Sequence, residues 1–186
     1  MNHIGTQIIE TDRLILRKFK TTDALDMFEN WGSDTKVTKY LSWHTHKEIK
    51  DSRDIINLWI SQYEDSQTYN WVIELKESNE VIGNISIVNL EDINESCEIG
   101  YCIGSRFWNK GITTEAFQGV IKFLFEKVGF NRICAKYNID NVASGEVMRK
   151  CNMTYEGTLR EVKFKNNSFY SLGVYSILKK EWFNRG

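Results

Sequence analysis

The stretch that decides the fold is EIGYCIGSRFWNKGITTEAFQGVIKFLF, residues 98–125. It starts as an apolar, strand-like run and ends with apolar residues at helical spacing, and the turn WNKGIT (108–113) joins the two. The first N–H groups of a helix have no intrahelical partner and carry partial positive charge. Because this strand turns directly into a helix, the segment predicts an anion site, with phosphate as the natural ligand.

Two residues of the turn suit a phosphate. Gly111 permits a positive φ or a close backbone approach, and Lys110 adds a charge. The pattern is neither a Walker loop, G-x-x-x-x-G-K-[ST], nor a dinucleotide fingerprint with three spaced glycines, so a nucleoside triphosphate is not the expected ligand. Two alternatives stay open. Gly111 merely ends a loop, or Glu115 in the first helical turn compensates the helix dipole itself.

Strand and helix patterns alternate on both sides of this segment. Period and turn chemistry predict strands at 14–16, 71–75, 81–88, 97–103 and 132–137, followed by two closing strands around Asn166-Asn167. They predict helices at 24–31 after Thr21–Asp23, at 49–63 behind a Thr45/Glu48 capping box, from Thr114 to a C-cap at Gly129, and at 142–150. The fold class is therefore α+β or α/β, with one mixed sheet and helices on its faces.

Composition narrows the function classes. With 24 Lys+Arg against 25 Asp+Glu the net charge is -1, which argues against a direct nucleic-acid partner and against a membrane. The four cysteines form no C-x-x-C pair and the three histidines fall in the first quarter of the chain, so no metal is expected. No signal peptide or 18-residue apolar run is visible, and we expect a soluble, cytoplasmic protein. We expect one domain, 11–183, after a short N-terminal extension, 1–10.

Five motifs carry a family resemblance across almost the whole domain. They are ETDRLILR (10–17), EIGYCI (98–103), FWNKGITTEA (107–116), N-x-x-N-x-x-S (138–144) and K-C-N-M-x-Y-E-G (150–157). In this order they resemble the GNAT superfamily of acetyl-CoA-dependent N-acetyltransferases. Within that superfamily they resemble the branch that acetylates N-terminal amines of ribosomal proteins.

The resemblance implies a fold and a cosubstrate site. It implies a twisted mixed sheet whose two central parallel strands splay apart and leave a cleft, where the pantetheine of acetyl-CoA lies along one strand. Two positions depart from the superfamily's general pattern, which has Gln or Arg where Trp108 stands and Gly or Ala where Thr113 stands. The cofactor-binding residues that it implies are Tyr101, Cys102, Ile103, Trp108, Asn109, Lys110, Gly111, Ile112, Thr113, Thr114, Asn138, Asn141 and Ser144.

The catalytic candidates are Glu98 and Ser144. Glu98 would accept the amine proton directly or through water, as the resemblance also suggests, with Glu161 as the second candidate and a solvated carboxylate as the alternative. Ser144 would donate a hydrogen bond to the departing thiolate, unless it is an ordinary cap residue. Tyr101 is an alternative proton donor or a packing residue. A backbone N–H within 99–103 would stabilise the oxyanion.

The acceptor is expected to be a protein N-terminal α-amine. A small-molecule amine (polyamine, aminoglycoside or amino acid) is the alternative in the same class, and a non-catalytic acetyl-CoA sensor is the alternative in another. A cysteine nucleophile is disfavoured because no histidine follows His46 to activate one. Trp43 and His44, in a polar loop, are candidates for acceptor contact. Pairing of the closing strands with a second copy would give a homodimer.

Overall fold

An eight-stranded sheet runs through the molecule, in a computed structural model that describes residues 1–184. The strand order is β1-β2-β3-β4-β5-β6-β8-β7, and every neighbouring pair is antiparallel except β5 and β6, which are parallel. The strands are β1 (Ile9–Glu10), β2 (Leu14–Arg17), β3 (Asn70–Leu75), β4 (Val81–Glu91), β5 (Ser96–Ile103), β6 (Arg132–Asn138), β7 (Thr154–Lys165) and β8 (Ser168–Leu178).

Helices cover both faces of this sheet, as the sequence predicted. They are α1 (Ala24–Met27), α2 (Thr35–Thr38), α3 (Ile49–Gln62), α4 (Ile112–Phe123), α5 (Val142–Lys150) and α6 (Lys179–Phe183), and π-helical turns extend α1 and α4. We call the face under α1 and α3 the front face and the face under α4 and α5 the back face. Separate apolar cores fill the two layers, with Trp31 and Ile56 buried in front and Trp71, Phe117 and Val120 buried behind.

Helix α4 forms where its apolar residues recur at helical spacing and face the sheet. Ile112, Ala116, Phe117, Val120 and Ile121 are buried against the back core. The predicted C-cap is confirmed, since Gly129 takes a φ of 96° after the π-helical turn Leu124–Val128. The predicted start at Thr114 was wrong by two residues. Gly111 is the N-cap, so the first turn already contains Thr113 and Thr114.

The predicted capping box of α3 was also placed one turn too early. Glu48 is the N-cap, and the Asp51 carboxylate accepts the backbone N–H groups of Lys47 (2.8 Å) and Glu48 (3.2 Å). Thr45 Oγ1 lies 2.6 Å from Thr38 Oγ1 instead. The sequence shows that capping residue types are present. Which of two overlapping capping boxes forms depends on the conformation of the preceding loop.

The two parallel strands separate soon after they meet. Their register covers only Ser96–Arg132, Cys97–Ile133 and Glu98–Cys134. Beyond that point β5 continues to pair with β4, and β6 continues to pair with β8. We call the gap between 99–103 of β5 and 135–138 of β6 the cleft. The expectation of splayed parallel strands is confirmed.

The N-terminal segment is tied to the sheet. Thr6 is buried, and His3 Nδ1 lies 3.0 Å from Tyr69 Oη, so this segment packs on the domain. The domain boundary at residue 11 stays a prediction.

The predicted tight turn between β7 and β8 is formed by Asn166 and Asn167, with φ of 51° and 59°. Strand β7 is a sheet edge, and the homodimer stays a prediction. No helix in the described chain is long and apolar enough to span a membrane.

Candidate active site

The turn after β5 presents a row of backbone amides at the start of α4. Asn109 and Gly111 both have left-handed backbone conformations, with φ of 59° and 73°. Among the described residues, no protein acceptor takes the N–H groups of 109–114. Free amides at a helix N-terminus are the donor set that a pyrophosphate requires. Of the two possibilities that the sequence left open for Gly111, the structure shows the positive φ.

Arg13 holds this turn from outside, a role that sequence reasoning missed. Its Nη1 donates to Lys110 O (3.0 Å), and its Nε donates to Glu115 Oε2 (2.6 Å). Thr11 Oγ1 also donates to Glu115 (2.6 Å). Burial opposes the charge of Glu115, yet these hydrogen bonds outweigh it and lower the pKa of Glu115 below its ordinary value. The Glu115 carboxylate therefore points to Thr11 and Arg13, not back to the helix end, and the loop amides stay open.

Trp108 and Lys110, in the same turn, contact residues close to them in sequence. Trp108 is 42% exposed and its indole N–H donates to Ile103 O over 3.0 Å. Lys110 Nζ lies 5.6 Å from the centre of the Phe107 ring, which leaves the ammonium beside the loop. An indole in place of the general pattern's Gln or Arg thus fastens the turn to the end of β5.

Strand β5 forms one wall of the cleft with its backbone. The Gly104 N–H donates to Ile82 O on β4. Because N–H directions alternate along an antiparallel strand, Ile103, Tyr101 and Ile99 direct their N–H groups away from β4 and into the cleft. These amides are placed for a pantetheine chain and for an oxyanion.

Cys102 lies on the front side of this wall in surroundings that disfavour the thiolate. Its thiol donates to Asn84 Oδ1 over 2.9 Å, and burial raises the pKa of Cys102 to about 12. A thiol that stays protonated attacks poorly, because the thiolate is the reactive form. The expectation that no cysteine intermediate forms stays a prediction.

Ser144 and Tyr101 meet behind the cleft. Tyr101 Oη donates to Ser144 O over 2.9 Å and lies 3.1 Å from Ser144 Oγ, while its ring packs on Phe117 of α4. Asn141 is the N-cap of α5, and its side chain makes no capping hydrogen bond. Ser144 is thus inside the first turn, and its hydroxyl faces Tyr101 and does not serve as the cap.

Asn138 ends β6 in a local turn. Its Oδ1 accepts the Asp140 N–H over 2.9 Å, and its carbonyl accepts the Asn141 N–H over 2.7 Å. This Asx turn redirects the chain from β6 into α5. The side-chain oxygen and the carbonyl of Asn138 are therefore committed to the turn, whereas the Asn141 side chain makes no capping hydrogen bond.

The two candidate bases have different surroundings. Glu98 is 19% exposed on the front side of β5, and its Oε2 accepts from Lys136 Nζ over 2.5 Å, a partner that the sequence did not suggest. Glu161 is exposed at a bulge of β7, with a φ of 49°. Its backbone N–H donates to Ser171 Oγ over 3.0 Å.

A cavity of about 270 Å³ opens on the front side at the end of β6. Lys165 Nζ donates to the carbonyls of Thr38 and Leu41, so the β7–β8 hairpin is fastened to the loop after α2 and forms one side of it. Trp43 and His44, the predicted acceptor contacts, do not line this cavity. Its walls are formed by Lys39, Tyr40, Asn138, Asp140, Lys165, Asn166, Ser168, Phe169 and Tyr170.

These features fit acetyl-CoA. The free amides of 109–114 match its pyrophosphate, the unpaired edge of β5 matches its pantetheine amides, and Ser144 closes the back of the cleft. No group of three or more His, Cys, Asp or Glu side chains within 1–184 is arranged to hold a metal.

Comparison with known proteins agrees with this geometry. The model of the acetyltransferase (GNAT) domain family matches residues 13–154. The uncharacterized N-acetyltransferase YoaA of Bacillus subtilis is 33% identical over 92% of this chain and 97% of its own length. YdaF of the same organism, provisionally described as a ribosomal N-acetyltransferase, is 34% identical over 69% of each chain.

A solved structure has the same architecture. The crystal structure of a GNAT-family acetyltransferase from Bacillus anthracis superposes with a TM-score of 0.83 at 27% identity. The match covers 94% of this chain and 100% of that one. The two proteins therefore share one fold over nearly the whole of this chain.

Proposed function

Because the chain belongs to the GNAT family of acetyltransferases, we propose that it acetylates the N-terminal α-amine of a protein. Transfer of the acetyl group of acetyl-CoA to an amine is the activity of this enzyme. The class of amine is what the proposal adds. The similarity to YdaF, which is provisionally described as a ribosomal N-acetyltransferase, supports it.

The charge of the front cavity carries the proposal. Among the described residues that line it, Asp140 is the only acidic one, and Lys39 and Lys165 are basic. A polyamine or aminoglycoside bears several ammonium groups, and electrostatic complementarity would require several carboxylates to receive them. A peptide N-terminus brings at most one ammonium and attacks as the neutral amine, so a cavity with one carboxylate and two lysines receives it more readily than a polycation. The remaining residues of the peptide can leave through the open side.

The proton chemistry suits an α-amine as well. An α-amine has an ordinary pKa near 7.7–8.0, so about a tenth of it is neutral at pH 7, whereas about 0.04% of a lysine amine with a pKa near 10.4 is neutral. Glu98 already accepts a hydrogen bond from Lys136. An acceptor that is partly neutral beforehand makes only a small demand on this carboxylate as a base.

Each wall of the cleft then has a role. The amides of 109–114 hold the pyrophosphate, and the outward N–H groups of β5 bind pantetheine and polarise the carbonyl. Acetyl-CoA supplies an activated thioester when bound. Glu98 takes the amine proton, directly or through water, and Ser144 donates a hydrogen bond to the sulfur. Holding amine and thioester together contributes up to about 7–11 kcal/mol to lowering the barrier.

An acceptor screen that follows free CoA tests the proposal. The panel contains peptides with a free α-amine, the same peptides with a blocked N-terminus and an internal lysine, and polyamines, aminoglycosides and amino acids. We expect CoA release with the free α-amine peptides only, and mass spectrometry should locate the acetyl group at the N-terminus. Acetylation of lysine side chains or of small amines alone would contradict the α-amine. Binding of acetyl-CoA without turnover on any acceptor would favour the sensor.

A further inference from the structure

Tyr101 joins β5 to α5 through a hydroxyl that has two partners on one residue. Its oxygen lies 2.9 Å from Ser144 O and 3.1 Å from Ser144 Oγ. The ring is held by Phe117, at 5.3 Å between ring centres. The phenol therefore has little freedom to move, and it touches the one α5 side chain proposed to face the sulfur.

A tyrosine hydroxyl has a single hydrogen, so it donates to only one of these acceptors at a time. In the first arrangement Tyr101 Oη donates to the Ser144 carbonyl. The Ser144 hydroxyl then donates to Tyr101 Oη, and the Ser144 hydrogen points away from the cleft. When Tyr101 Oη donates to Ser144 Oγ, the Ser144 hydrogen is released and can point into the cleft. The two arrangements differ by rotation of two O–H bonds.

We propose that Tyr101 is a positioning residue whose hydrogen, donated to the Ser144 carbonyl in the structure, shifts to Ser144 Oγ as the thiolate forms, and that this shift frees the Ser144 hydrogen to turn toward the departing sulfur. This inference rests on the proposed function, because it requires Ser144 to face the thioester. It also assigns Tyr101 a role through its side chain, in addition to its backbone at the cleft edge.

The pair supplies hydrogen bonds and transfers no proton. Burial raises the pKa of Tyr101 above its ordinary value of 10, whereas a thiol ordinarily has a pKa near 8.5. Proton transfer from the phenol to the thiolate is therefore unfavourable. In the reaction the C–N bond forms, the C–S bond breaks, and sulfur keeps its electron pair. The amine proton leaves by way of Glu98.

A double-mutant cycle measures the coupling. Tyr101→Phe should lower kcat about three- to tenfold, the range expected for one neutral hydrogen bond, with the KM for acetyl-CoA within about twofold of wild type. In a Ser144→Ala background the same change should alter kcat less than about twofold. Additive losses, or loss of the alkaline limb of the kcat–pH profile in Tyr101→Phe, would overturn the proposal. Tyr175→Phe, outside the pair, is the matched control and should behave as wild type.

A binding measurement keeps this test separate from the acceptor question. Calorimetry on the full chain compares CoA with desulfo-CoA, which lacks the sulfur. Wild type should prefer CoA by about threefold or more, and both Tyr101→Phe and Ser144→Ala should lose that preference while binding desulfo-CoA as wild type does. An unchanged preference in Tyr101→Phe would refute the positioning role. If no acceptor is acetylated but the preference behaves as stated, the proposed acceptor class fails and this inference stands.

Discussion

Lys136 Nζ donates to Glu98 Oε2 over 2.5 Å at the point where β5 and β6 separate. Glu98 belongs to the last parallel pair, opposite Cys134, and Lys136 lies two residues further along β6 on the same side. The hydrogen bond to Glu98 raises the pKa of Lys136 above its ordinary value, outweighing desolvation. A raised pKa means that the contribution to stability is complete below pH 10.5 and is lost above it. The ion pair therefore holds the base of the cleft at physiological pH.

Replacing Glu98 tests the proposed proton acceptor. We expect Glu98→Gln to lower kcat by about a hundredfold, the lower end of general acid–base contributions, because the α-amine acceptor is already partly neutral. Affinity for CoA should stay within about twofold, since the phosphate loop is untouched. Stopped-flow measurement of free CoA at saturating acetyl-CoA gives kcat.

Glu161→Gln is the matched comparison for that experiment. Glu161 is exposed at the bulge of β7 and is the second candidate for the proton acceptor. If Glu98 is the acceptor, replacing Glu161 should change kcat little. A large loss in Glu161→Gln with near-normal turnover in Glu98→Gln would reverse the two roles.

The phosphate loop should depend on the left-handed conformation of Gly111. A side chain at a φ of 73° costs about 1–2 kcal/mol, so Gly111→Ala should lower both stability and the affinity for CoA. Gly129→Ala introduces the same kind of strain, at a φ of 96°, at the opposite end of the helix. We expect a similar loss of stability in both variants by urea unfolding. Calorimetry should show weaker CoA binding in Gly111→Ala alone, and equal weakening in both would contradict the loop assignment.

The Tyr137 ring packs closely against two glycines at the other wall of the cleft. Its ring lies so close to Gly145 and Gly173 that a Cβ on Gly173 would stand 2.3 Å from Tyr137 Cε1. Gly173→Ala should therefore destabilise the fold by about 1–3 kcal/mol through overpacking. The double variant Gly173→Ala/Tyr137→Leu removes the ring edge and should recover part of the loss. Equal unfolding midpoints for wild type and Gly173→Ala would refute this packing.

Acid should weaken the contact between β6 and β7 through Glu156. Hydrogen bonds from Arg132, in a two-pronged contact, lower the pKa of Glu156 to about 2. A depressed pKa gives stability that is present above about pH 4.5 and lost as the pH falls toward 2. The pair is about a third exposed, so the effect is modest and weakened by salt. Urea unfolding at pH 5 and pH 3 should show a smaller acid loss in Glu156→Gln than in wild type, and identical losses would contradict it.

Local patterns predicted the elements that build the site. The apolar period through Phe117 and Val120, with Gly111 before it and Gly129 after it, predicted α4 and its capping glycines. The errors were shifts within a turn, at Thr114 and at Thr45. At both places neighbouring residues offer competing caps, and the preceding loop decides between them.

The partners of the site residues were less accessible to sequence reasoning. Arg13 reaches Lys110 from 97 positions away, and Lys136 reaches Glu98 from 38 positions away. The motif ETDRLILR contains Arg13, but no local pattern indicates which carbonyl it binds. Such contacts depend on how distant strands align, which hydrophobic periodicity leaves open.

The sequence by itself determined the strand–turn–helix at 98–125 and the free amides that any such turn exposes, because helix ends lack partners wherever they form. Only the tertiary structure decided that Glu115 turns to Arg13 and leaves those amides open, that β5 and β6 part after Glu98, and that Tyr101 meets Ser144. Backbone geometry is local and is encoded residue by residue. The separation of two strands and the meeting of two hydroxyl groups depend on packing across the whole sheet.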